Sequence, residues 1–227
     1  MSIEFGSGRT VLLGPNGAGK STLMGLLASV HRPQRGSVEL RGVGTPFARR
    51  SLAPFRRAVA WLPQHAGTFP GLTVREHVAY AGWLKGLGRK DAYRRAVDAL
   101  GPVGLVDRAD SPATQLSGGQ TRRMHLAGAL VHDAQVILLD EPTAGFDPQQ
   151  QARFHETVQA LDPAIAVVVS THDVSDLSGS YDRVVVLDGG EVRFDGPVSG
   201  FLDVAPTGTA THRRGEAAYS TLVRGER

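Results

Sequence analysis

An α/β fold is predicted, built on a parallel sheet, with a helical subdomain inserted in its middle. Three observations carry this. Apolar runs such as Val136-Ile-Leu-Leu139, Ala164-Ile-Ala-Val-Val-Val169 and Arg183-Val-Val-Val-Leu187 lack polar alternation, the pattern of parallel strands covered on both faces. Segments with apolar residues at helical spacing alternate with these runs, as parallel connections require. In the middle third the strands give way to consecutive helical stretches broken by glycine.

Taken in order, Thr10-Val-Leu-Leu13 is closed by glycine and proline and reads as a strand, and residues 20–30, apolar on one face, read as the helix that follows it. Phe5 belongs by pattern to a hairpin arm leading through Gly6-Ser-Gly8. Ser37-Val-Glu-Leu40 alternates and residues 57–62 turn apolar, which predicts two more strands with a polar connection between them. Helices are expected over 73–84 and 90–100, separated by the glycines of Lys85-Gly-Leu-Gly88, and from Gln115 to about residue 131. Strands return at 136–139, 165–169 and 183–187, alternating with a helix at 148–161, and a short helix closes the chain over 217–223. The expected organisation is a single domain over 1–227, with a core lobe of 1–64 and 132–227 and a helical lobe of 65–131.

The 227 residues are 41% hydrophobic and 21% charged, the balance of one ordinary globular domain. No apolar run approaches the roughly 20 residues that cross a bilayer. Met1-Ser-Ile-Glu-Phe5 lacks the basic opening and apolar core of a secretory signal, so the protein is expected to stay where it is made. Zero cysteines exclude disulfides, thiolate zinc sites and cysteine nucleophiles. A net charge of +3 is too weak a balance to imply nucleic acid, and the scattered arginine pairs read as solvated faces. The eight histidines are dispersed, without the spacing that aims two imidazoles at one metal.

Gly14, Pro15, Asn16, Gly17, Ala18, Gly19, Lys20 and Ser21 fit G-x-x-x-x-G-K-[ST] between a strand and a helix, where that pattern acts. Its glycines let the backbone point successive N–H groups at phosphate oxygens, and the helix N-terminus adds partial positive charge. Lys20 is placed to reach the β- and γ-phosphates, and the Ser21 hydroxyl to ligate Mg2+. Further on, four apolar residues run into two adjacent acids, Asp140 and Glu141, which is costly unless the acids meet a cation at the strand's carboxyl edge. Asp140 is expected to hold Mg2+ through water, and Glu141, displaced by one residue, to polarise a water aimed at the γ-phosphate. Alone, such a pair serves equally well where a strand exits into a helix N-cap, and the phosphate loop weighs the choice toward the metal.

Leu116-Ser-Gly-Gly-Gln120 has no reading in strand-and-helix terms, and here the chain resembles the ATP-binding cassette (ABC) ATPases over nearly its whole length. Residues 116–120 look like that family's signature, residues 14–22 through Thr22 like its Walker A loop, and residues 136–141 like its Walker B strand. Gln64 in Trp61-Leu-Pro-Gln64 looks like the Q-loop, Asp147 in Ala144-Gly-Phe-Asp147 like the D-loop acid, and His172 in Ser170-Thr-His172 like the switch histidine. The resemblance implies a P-loop NTPase core and ATP held, with Mg2+, between two cassettes arranged head to tail, a homodimer or a pair with a close homologue. Ser117, Gly118, Gly119 and Gln120 would then serve the nucleotide of the partner subunit, Glu141 would be the general base, His172 would contact the γ-phosphate, and Gln64 would sense Mg2+ and water.

The resemblance further implies an ATP hydrolase that powers a transporter from the cytoplasmic face of the cell membrane, pairing with a separate multi-span permease. Residues 69–76 and 215–219 look like single-cassette subunits, often of exporters. Phe146 and Gly128 depart from the leucine and the arginine frequent in the family. Met1 lies only thirteen residues before Gly14, where family members carry a further strand and an aromatic residue that stacks on adenine; the resemblance therefore implies a small N-terminal antiparallel β portion, and either its start is truncated or adenine is held differently, with a weak adenine preference expected. Two other readings stay open: a soluble ABC-type ATPase acting on ribosomes or DNA, and a nucleotide-binding module with impaired catalysis, which intact Lys20, Asp140, Glu141 and His172 argue against.

Overall fold

The computed structural model describes residues 1–177 and 181–224. Strands β1 (Gly8–Leu13), β2 (Val59–Leu62), β3 (Val136–Asp140), β4 (Ala166–Thr171), β5 (Arg183–Asp188) and β6 (Glu191–Pro197) form one sheet in the order β2-β3-β4-β1-β5-β6. Every neighbouring pair is parallel except β5 and β6. Between them lie α1 (Lys20–Leu27), α2 (Leu52–Ala58), α3 (Val74–Leu84), α4 (Arg89–Leu100), α5 (Gly118–Leu130) and α6 (Pro148–Gln159), and after β6 come α7 (Val198–Leu202) and α8 (Arg214–Arg224).

Both faces of the sheet are covered, which is why its strands could be apolar throughout. Leu12, Leu138, Val168 and Val185 pack under Leu23 and Met24 of α1 and Phe55 of α2. Their sequence neighbours point the other way, as strand geometry requires. Val11, Leu13, Val184 and Val186 meet Phe201 and Ala218, while Ile137, Leu139, Val167 and Val169 join the cluster of α3, α4, α5 and α6. Thus α3 to α5 have no separate core: Val74, Val78, Ala96, Leu100 and Leu126 are continuous with the sheet.

Local signals explain the helix ends. Thr73 caps α3 through a reciprocal box in which its hydroxyl accepts from Glu76 N at 3.2 Å and its own N–H donates to Glu76 Oε2 at 2.9 Å. Arg9, only 6% exposed, sends its guanidinium to the carbonyls of Val158, Gln159, Leu161 and Asp162, where the end of α6 leaves acceptors open.

Four expectations need correction. Residues 37–40 form no strand: Leu40 makes one isolated bridge with Gly44, and Val38 and Leu40 cover the sheet as partly buried loop residues beside Phe5. The alternation there reflects a half-buried loop and not a ladder. The antiparallel portion is not N-terminal, because residues 1–6 carry no strand and Phe5 sits on no hairpin arm; the antiparallel strand is β6, paired with β5 near the chain's other end. Residues 57 and 58 belong to α2, so the strand begins only at Val59. Finally, α1 stops at Leu27, followed by Ala28 as C-cap and Ser29 at φ 61°, a left-handed residue that ends the helix.

Candidate functional site

The parallel register brings the carboxyl ends of four strands to one edge. Leu13 of β1 lies opposite Thr171 of β4, Asp140 of β3 opposite Ser170 of β4, and Leu62 of β2 opposite Leu139 of β3. Residues 14–19, Gln64, Glu141 and His172 all follow directly from this edge, so separate stretches of chain meet there.

In the phosphate loop Gly17 and Gly19 adopt φ 83° and 100°, the left-handed region that glycine enters without strain. Gly14 is required for a different reason: a Cβ there would stand 2.3 Å from the carbonyl oxygen of Leu187. Pro15 accepts from Ala18 N at 3.1 Å, closing the turn. Asn16 and Gly17 lie on the outside, as do Ser21 and Thr22, while Ala18 is buried. The N-cap of α1, Gly19, has no side chain to satisfy the first N–H groups, which leaves them for an anion.

Lys20 is 6% exposed and folded back on the loop, its Nζ donating to Gly14 O at 2.7 Å and Pro15 O at 3.3 Å. The same ammonium stands 3.4 Å from Glu141 Oε1. The other oxygen of that carboxylate, Oε2, accepts from His172 Nδ1 at 3.0 Å. Glu141 therefore bridges the lysine of the loop and the histidine after β4. Its backbone sits at φ 46°, a left-handed conformation costing a non-glycine residue about 1–2 kcal/mol, and that strain is held at the site. Asp140, 3% exposed, accepts from Ser170 Oγ at 2.5 Å, and the same hydroxyl accepts from Glu141 N at 3.1 Å.

Gln64 is partly buried, and its carbonyl and that of Pro63 accept from Arg122 of α5. Ser117, Gly118, Gly119 and Gln120 lie at the start of α5. Ser117 caps α5 by accepting from Gln120 N at 3.3 Å while Gln120 Oε1 accepts from Ser117 N at 3.0 Å, and Gly119 abuts Gln150 of α6. Asp147 caps α6 through Gln150 N at 2.8 Å and is exposed. Sequence reasoning missed Ser170 and Arg122, which act through cross-strand register and a tertiary contact that no local pattern encodes.

The residues present fit a nucleotide with Mg2+. Gly17 and Gly19 give the loop its left-handed turns, the open helix end follows them, and the Ser21 hydroxyl, the Gln64 amide and the Asp140 carboxyl are the kinds of oxygen ligand that Mg2+ takes alongside phosphate.

A groove of about 410 Å3 lies between β2, α3 and α5, running past the carboxyl end of β2 at Leu62 and Pro63. Its lining includes Trp61, His77, His125 and His132, and Trp61 Nε1, His77 Nε2, His125 Nδ1 and both ring nitrogens of His132 have no hydrogen-bond partner among the described residues. Burial pushes the His125 and His132 imidazoles down to about 4, assisted in His132 by Lys85. Beside it, Phe69, Tyr80 and Trp83 form a ladder of rings with centroids 5.3 and 5.7 Å apart, and Trp83 and Leu84 are 53% and 61% exposed.

A family model described as ABC transporter matches residues 1–144, more than half of the chain. The chain belongs to the ABC transporter family. It is 39% identical over 205 residues to the cobalt import ATP-binding protein CbiO of Rhodobacter capsulatus, covering 89% of this chain and 73% of that one. It is 33% identical over 182 residues to the linearmycin resistance ATP-binding protein LnrL of Bacillus subtilis, covering 80% of this chain and 58% of the relative. Among solved structures it superposes on cbiO1 of Clostridium perfringens, part of the ABC transporter complex cbiONQ, with a TM-score of 0.76 at 28% identity, covering 87% and 79% of the two chains. It likewise matches a dimeric ATP-binding cassette in a post-hydrolysis state bound to ADP and Pi, with a TM-score of 0.73 at 27% identity, covering 87% and 88%. The ABC cassette thus has the mostly parallel α/β core of its relatives, and among its described residues no helix is long and apolar enough to cross a membrane.

Proposed function

We propose that this ABC cassette is the ATP-binding and ATP-hydrolysing subunit of a membrane transporter, working as an ATP-closed dimer on the cytoplasmic face of the membrane. The observation that carries the reading is the meeting of Lys20, Glu141 and His172 at one sheet edge, with Asp140 beside them. Gly14 to Thr22 cradle the phosphates, and Lys20 draws the β- and γ-phosphate charge. Ser21, Gln64 and Asp140 are the residues that would hold Mg2+, which supplies charge neutralisation at the phosphates.

In hydrolysis Glu141 accepts a proton from a water whose oxygen forms a bond to the γ-phosphorus, while the bond to the β–γ bridging oxygen breaks and ADP leaves. His172 steadies the γ-phosphate. Without nucleotide Lys20 and His172 both contact Glu141; an arriving phosphate draws them away and frees the carboxylate for water. Ser117, Gly118, Gly119 and Gln120, at the start of α5, and Asp147, at the cap of α6, complete the site of the second cassette.

The division into a core lobe, 1–64 and 132–227, and a helical lobe, 65–131, belongs to this proposal. The helical lobe meets the multi-span permease, and the support is the groove, whose ring nitrogens are unpartnered among the described residues, and the exposed ring ladder beside it. Export, suggested by residues 69–76 and 215–219, gains no support from the geometry, and the similar proteins include a cobalt importer as well as a linearmycin resistance protein.

Glu141→Gln tests the reading. Turnover should fall about 10²–10⁴-fold with ATP affinity kept, because the general base is lost and the phosphate cradle is not. The variant should accumulate as a dimer with ATP and Mg2+. Near-normal turnover would refute the assignment of the base, and lost turnover without a dimer would refute the dimer alone.

A further inference from the structure

Two adjacent arginines in the second turn of α5 leave the helix in opposite directions. Arg123 Nη1 donates to Val103 O at 2.9 Å and so ties α5 to the end of the helical block. Arg122 reaches toward the sheet: Nη1 donates to Pro63 O at 3.1 Å and Nη2 to Gln64 O. A planar guanidinium serving two consecutive carbonyls fixes the orientation of both peptide planes, which a lysine with one compact charge cannot reproduce. It thereby sets the direction in which the Gln64 side chain leaves the backbone. Arg122 is half-buried, so its bonds are shielded from water, and burial holds its pKa below the ordinary guanidinium value.

The helix that carries Arg122 begins at Ser117, five residues earlier, and its cap is the signature loop itself. A shift or rotation of α5 is therefore transmitted through one side chain to the residue just beyond β2. We propose that Arg122 is the positioning residue that couples the signature helix to Gln64, so that Gln64 is set for the phosphates and Mg2+ of its own loop only when α5 is in place. This rests on the functional reading above, which puts Gln64 at that ion and the signature at the other subunit's nucleotide. Arg122 touches neither ATP nor the reacting atoms.

The test is steady-state ATP hydrolysis of the full chain, with Mg2+ titrated at saturating ATP, for Arg122→Met, Arg122→Lys, Gln64→Ala and the double variant Gln64→Ala/Arg122→Met, alongside thermal melting of each. Arg122→Met should raise the Mg2+ concentration for half-maximal turnover by about tenfold, the scale of losing a support behind a metal ligand, with Arg122→Lys intermediate. In the Gln64→Ala background the same substitution should change turnover less than about twofold, because the group it positions is gone. Equal effects of Arg122→Met in both backgrounds, or a lower melting temperature with unchanged Mg2+ dependence, would make Arg122 merely structural and overturn the proposal. If Gln64→Ala itself leaves turnover and Mg2+ dependence unchanged, the role of Gln64 falls and this coupling with it.

Discussion

Ser170 gives the sharpest test of how the carboxyl edge is built. It is fully buried, its hydroxyl donates to Asp140 Oδ1 at 2.5 Å, and it accepts from Glu141 N at 3.1 Å. Ser170→Ala removes both bonds but leaves Glu141 N with the Ser170 carbonyl, also at 3.1 Å. The loss is therefore concentrated on Asp140, a carboxyl only 3% exposed that no water can readily re-solvate. One buried bond to such a group contributes about 1.5–3 kcal/mol, which for a chain of this size lowers the melting temperature by roughly 4–10 °C. Freed from its anchor, Asp140 should also bind Mg2+ about 10–100-fold less well, as happens when the support behind a metal ligand is removed. Differential scanning fluorimetry without nucleotide reads the first effect, and Mg2+ titration of ATP hydrolysis the second, with Ser170→Thr as the variant that keeps a hydroxyl. A Ser170→Ala protein with unchanged melting and unchanged Mg2+ dependence would refute the claim that Ser170 holds the metal-side acid.

Acid should loosen the fold through the groove histidines. The unfolded chain protonates His125 and His132 near 6.5 whereas the folded chain waits until about 4, so stability falls as pH drops through that window and levels below it. Discounted for partial exposure, the two together amount to about 2–4 kcal/mol, measured by denaturant unfolding at stepped pH, and replacing both by glutamine should flatten the slope. Gly14→Ala places a Cβ 2.3 Å from the Leu187 carbonyl, so the loop or β5 must move; a loss of about 1–3 kcal/mol and of measurable ATP binding is expected, by melting and by nucleotide titration.

The strands of the central sheet were legible because burial on both faces leaves a direct mark, the unbroken apolar run. Even so, β6 went unread: Val192 and Phe194 alternate with polar residues in Glu191–Pro197, but Gly196 and Pro197 masked the signal. Proline at 54 among arginines hid α2, whose Phe55 nevertheless fills the core. Residues 37–40 misled for the opposite reason, since their alternation is satisfied by packing on the sheet without a neighbouring strand. At the edge the contiguous motifs were readable, because the phosphate loop and the acid pair carry their chemistry within a few residues. Ser170 and Arg122 carry theirs across the register of β3 with β4 and across the contact of α5 with the end of β2. Sequence spacing contains neither.

The central claim is that one site needs two chains, the phosphate loop of one cassette and the signature of the other. It is tested most directly by measuring ATP hydrolysis in a mixture of Ser117→Arg protein, whose loop is intact, and Lys20→Ala protein, whose signature is intact. Each variant alone should be inactive, and the mixture should recover turnover toward the level of one working site per heterodimer, saturating as the Lys20→Ala protein is added in excess. A mixture that stays inactive although the two variants demonstrably form heterodimers, or a Ser117→Arg protein that hydrolyses ATP normally by itself, would contradict it.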